Sequence, residues 1–131
     1  MTERQEPPES ARSIAGAPEA DADGARPALL SLTRDLAEVP AIEVISACAV
    51  NLMSAAAVKL GLAEGGADLL DLDEARKLIE ALAGLVDGAR THLSFHAAPL
   101  LDGLQTLQGA FRAASAYPDA PGQGPGERYR R

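Results

Sequence analysis

His92 and His96 stand four residues apart in "HLSFH". On a helix that spacing places two imidazoles on one face, where they could hold a divalent metal such as zinc. A site needs further ligands, and the nearest carboxylates, Asp87 and Asp102, lie outside the stretch. Pro99 also suits the opening turn of a helix, which leaves both histidines in the loop before it. We therefore expect no metal, and two ordinary loop or capping histidines.

Cys48 is the only cysteine, so no internal disulfide and no thiolate cluster can form. A nucleophilic thiolate needs a cation nearby, and the neighbours of Cys48 are Ala47 and Ala49. It reads as a small apolar residue. The acid-rich "DLLDLDE", Asp68 to Glu74, lacks the length and ligand alternation of a calcium loop and reads as helix capping. There is no phosphate-cradling glycine loop, nucleophile elbow or spaced carboxylate pair. The expectation is no catalytic residue, no cofactor and no enzymatic activity. A metal-dependent enzyme using His92 and His96 is the distant alternative.

Charge narrows the partners. The chain carries a net −7, of which residues 27–116 hold −5. Phosphate binding calls for a basic stripe, so direct nucleic-acid binding is not expected. Two Phe, two Tyr and no Trp leave no aromatic platform for stacked bases. The terminal "RYRR" reads as a solvated end.

Around these residues the chain divides in three. Residues 1–26 are rich in Glu, Asp, Pro, Ala and Gly without a spaced apolar face, and read as a disordered acidic tail. Residues 117–131, with three prolines and three glycines, read as a disordered Pro/Gly-rich tail. The helical domain is 27–116. Within it, Leu29, Leu32, Leu36 and Val39 make one side of a short leading helix over 27–38. A second helix runs from Pro40 to Leu60, with Gly61 placed to close it. In the third, Asp71 and Glu74 form a capping-box pattern, Ala75, Leu78, Ile79, Leu82, Leu85 and Val86 make the stripe, and Gly88 is the terminator. The fourth starts near Ala98 and presents Leu100, Leu101, Leu104, Leu107, Phe111 and Ala114. The fold class is all-α, a three-helix antiparallel bundle with a short leading helix and disordered tails.

The second helix is apolar around too much of its circumference. Ile42, Val44, Ile45, Cys48, Ala49, Leu52, Met53 and Leu60 form a half that can pack on its neighbours. The other half holds Glu43, Ser46, Ala47, Val50, Asn51, Ser54, Ala57 and Val58, where a surface helix would place charges. The charge-free run, Val44 to Val58, is fifteen residues, short of the ~20 that span a bilayer. No signal peptide is evident, so a cytoplasmic protein without membrane contact is expected. We expect Ala47, Val50, Asn51, Ser54 and Val58 to form the interface of a homodimer. The competing reading has the leading helix cover them.

"MSAAAVKLGL", "DLDEARKLIEALAGL" and "LLDGLQTLQGAFRAA" together resemble domain-of-unknown-function family 1844, small bacterial helical proteins. Leu72, Ala75 and Ile79 match its "L-x-x-A-x-x-x-I" helix opening, while "ARTHLSF" replaces its usual "K-T-x-G-N-L" loop. The resemblance implies a helical fold and no catalytic residues. Its actinobacterial branch implies genes near translation genes, hence an accessory or regulatory factor for a ribosomal or initiation-factor partner as the alternative function. The leading expectation is a non-enzymatic protein–protein interaction module that self-associates through residues 40–60, with an unidentified protein as the other partner.

Overall fold

Asp71 opens the helix around which the bundle is built. Its carboxylate accepts the Glu74 amide at 3.2 Å, satisfying one of the free N–H groups of the first turn. Its own amide donates to the Lys59 carbonyl at 2.7 Å, so the reciprocal arm of the capping box is unused and the residue ties two helices together. The Glu74 carboxylate goes instead to Lys77, at 2.6 Å.

The computed structural model describes residues 26–130. Helix α1 comprises residues 26–38; α2 is Ala41–Lys59, α3 is Leu72–Leu93 and α4 is Ala97–Ala114. Short 3-10 turns occur at Gly66–Leu69, Ser94–His96 and Glu127–Tyr129, and there is no strand among the described residues. The chain divides into two units, Met1–Val39 and Pro40–Arg131. In the first, α1 is the described element, with the Thr33 hydroxyl donating to the Leu29 carbonyl at 2.9 Å. The expected acidic tail, residues 1–26, lies outside the described residues except for Arg26, which is helical.

The second unit is the antiparallel three-helix bundle. Helix α3 lies at its centre and buries Ala75, Ile79, Leu82, Ala83, Val86, Ala89 and Leu93. Against these pack Ala49, Ala56 and Leu60 from α2, and Leu100, Leu104, Leu107 and Phe111 from α4. Ala49 and Ala56 are two turns apart and fully buried, and side chains this small let α2 approach α3 closely. Helix α2 ends as expected. Gly61 takes φ +75, its amide donates to Val58 and the Leu62 amide to Ala57, both at 3.0 Å, the paired bonds of a Schellman stop.

Three expectations are corrected. Gly88 does not end α3, which continues to Leu93 because Ala89 and Leu93 extend the buried stripe. The turn falls at Ser94, the one described non-glycine residue with positive φ, +54. His92 is accordingly helical, in the last turn of α3.

The third correction concerns residues 117–131, expected to be a disordered tail. Residues 117–130 lie across α3 and α4, and Gly124, Pro125, Gly126 and Glu127 are buried. Composition misleads here because polar side chains on the helices satisfy the segment's backbone. The Gln108 amide donates to the Pro125 carbonyl at 2.9 Å, and the Gly126 amide donates to Glu80 at 3.0 Å. Arg112 donates to the Asp119 carbonyl at 2.8 Å, and Arg128 pairs with Glu80 at 2.6 Å. Glu127 accepts the Gly122 amide at 2.9 Å and pairs with Arg112 at 3.3 Å. Burial pushes the Glu127 carboxyl up, but these hydrogen bonds outweigh it and hold the group below the ordinary carboxylate range.

Candidate interaction surface

Because α2 meets α3 along Ala49 and Ala56, the opposite side of α2 is set by the helical period. Val44, Ala47, Cys48, Val50, Asn51, Ser54 and Ala55 are all exposed there, Val50 at 53%. Between Glu43 and Lys59 this surface carries no charge. Of the five residues expected at the interface, Ala47, Val50, Asn51 and Ser54 are exposed and Val58 is half-buried.

The wheel is rotated slightly from the sequence reading. Val44 and Cys48, assigned to the packed half, are exposed, while Ser46 and Ala57, assigned to the outer half, are partly covered. The Ser46 hydroxyl oxygen is buried and has no hydrogen-bond partner among the described residues. Beside the exposed face, Val50, Met53, Ser54 and Ala57 of α2 and Gly103, Thr106 and Leu107 of α4 line a shallow apolar groove, with Leu62 at its end. By length and composition α2 is long enough and apolar enough to cross a membrane, so the fifteen-residue count understated it. Its inner side is nevertheless packed into the bundle core.

The chemistry-bearing residues are dispersed. His92 and His96 are both exposed, and His96 stacks on Phe95 with ring centroids 4.5 Å apart. No group of three or more His, Cys, Asp or Glu able to hold a metal occurs among the described residues. Cys48 is exposed on α2 rather than packed as a core hydrophobe.

A second set of side chains escaped the sequence reading. Arg76 and Glu80 lie off the apolar stripe of α3, where solvent is the default surrounding, yet Arg76 sits over the Phe111 ring at 4.9 Å and pairs with Asp119 at 3.0 Å. Gln108 lies off the expected α4 stripe and is buried, while Ala114 on that stripe is exposed. The available signal was charge complementarity: Arg76, Glu80 and Arg112 on α3 and α4 stand against Asp119, Arg128 and Glu127 in the C-terminal segment.

The boundaries of the bundle coincide with a recognised unit. The profile of a family described as a domain of unknown function, DUF1844, matches residues 41–113, more than half of the chain. The chain belongs to this family. The DUF1844 match begins at the first residue of α2 and stops one residue before the end of α4, so α1 and the C-terminal segment lie outside it. Within it, the motif residues Ala75 and Ile79 are fully buried and Leu72 packs beside them. No curated protein and no solved structure matches the chain.

Proposed function

We propose that this DUF1844 protein is a non-enzymatic interaction module that associates with itself through the outward face of α2. One observation carries the reading: seven exposed residues from Val44 to Ala55, apolar or small apart from Asn51, carry no charge among them. Monomeric proteins rarely leave a contiguous apolar patch of several hundred Å² in water. Burying a half-exposed valine contributes on the order of 1 kcal/mol, which favours association once two such faces meet. The acidic surplus of the helical region supports a protein partner over nucleic acid, and the packed inner side of α2 supports a cytoplasmic protein over a membrane-spanning one.

Light scattering on the full chain at micromolar concentration tests this. The wild type is expected to be a dimer whose melting temperature rises with concentration, and Val50→Asp a monomer with unchanged helix content and a concentration-independent melting temperature, since Val50 lies outside the core. A wild type that is monomeric across the accessible concentration range overturns the proposal.

A further inference from the structure

We infer that the partner of α2 is the α2 of a second copy, laid antiparallel and centred on Asn51, with Glu43 of each copy paired to Lys59 of the other. The inference rests on the self-association just proposed and specifies its geometry.

Glu43 and Lys59 are the only charged residues of α2. Each is eight residues from Asn51, one toward each end. Eight residues correspond to ~12 Å along the axis and a rotation of about 80°, so the two charges flank Asn51 symmetrically on opposite sides. An antiparallel copy related by a two-fold axis at Asn51 places residue 43 level with residue 59 at both ends. A right-handed crossing of about 50° turns these flanks toward each other and brings the opposite charges within reach, whereas the left-handed crossing of about 20° would part them. A parallel copy would instead set Glu43 against Glu43 and Lys59 against Lys59. Among the described residues neither Glu43 nor Lys59 has an ion-pair partner.

Asn51 is exposed midway between Glu43 and Lys59, with the smaller Ser54 one turn away, and on the two-fold axis its amide can donate to and accept from its own copy. A single polar residue in such a seam fixes register. Ala47, Ser54 and Ala55 around it are small enough for close approach. The helix face offers roughly 28 Å by 12 Å, less than half the ~800 Å² per partner of a standard interface, so the dimer is a reversible, micromolar one.

Glu43 and Lys59 also complement the α2 dipole, and the test separates that role from pairing. Glu43→Lys or Lys59→Glu alone is expected to weaken dimerisation about tenfold. The double exchange opposes the dipole yet is expected to restore dimerisation to within about threefold of wild type. In a Cys48→Ser background, Asn51→Cys is expected to give an oxidised covalent dimer, and Ala47→Cys, whose sulfurs would lie ~12 Å apart, is not. Circular dichroism confirms the fold of each variant. Cross-linking at both positions, or no recovery in the double exchange, overturns the antiparallel register while leaving self-association standing. A monomeric wild type overturns both readings. Flotation of the wild type with phosphatidylglycerol-containing vesicles would replace the second copy by a lipid surface.

Discussion

A Cβ on Gly126 would collide with the Cβ of Ala83. The C-terminal segment crosses α3 at this point with φ +73, a conformation that side chains disfavour. Steric fit and backbone conformation therefore select the same residue. This contact lets Pro125 bury fully and brings the Gly126 amide to Glu80.

Gly126→Ala is expected to lift the segment from the bundle and to cost about 2 kcal/mol, read as a lowered denaturation midpoint. Hydrogen exchange should accelerate at the amides of residues 122–130 and remain slow in α3. Gly122→Ala is the control. Gly122 has φ +83 but open space around it, so only the backbone strain of about 1 kcal/mol applies.

Acid should loosen the same segment. The Glu127 carboxyl titrates below its unfolded value of ~4.3, so its contribution is complete above that pH and is lost as pH falls through the lower folded value. Melting temperature is expected to decline below about pH 4. Glu127→Gln should lower stability at pH 7 by about 2 kcal/mol, since a charge-assisted buried hydrogen bond is lost, and should flatten this acid slope.

Ser94 should be replaceable to advantage. It joins α3 to α4 at φ +54 and ψ −131, a region that glycine tolerates and other residues do not. Its carbonyl and amide conformation, rather than any side-chain hydrogen bond, defines this turn. Ser94→Gly is expected to stabilise the chain by about 1 kcal/mol, measured by urea unfolding.

Asp71→Ala should cost about 1 kcal/mol through the lost cap on the Glu74 amide, with Asp71→Asn close to wild type. The Asp71 amide bond to Lys59 survives both changes because it belongs to the backbone.

Much of the bundle was legible because its signals are local. The three- and four-residue recurrence of Ala75, Ile79, Leu82 and Val86, the Asp71 cap and the Gly61 stop each act within a turn or two of chain. The α3 end was misplaced because Gly88, a weak helix former, is carried along by Ala89 and Leu93 packing in the core. The outward α2 face was legible as an excess of apolar residues. Its orientation was not, since a nearly uniform helix has little amphipathic contrast to aim it. Ala49 and Ala56 aim it instead, by their contact with α3.

Residue order alone therefore establishes an all-α chain, its helices and their caps, and an unusually apolar α2. Folding adds which side of α2 faces water and converts a Pro/Gly-rich segment into a packed strap. The reason is range: periodicity and capping are read between neighbours, whereas Arg112 meets Glu127 across 15 residues and Glu80 meets Arg128 across 48. Such pairs exist only once α3 and α4 have been laid side by side.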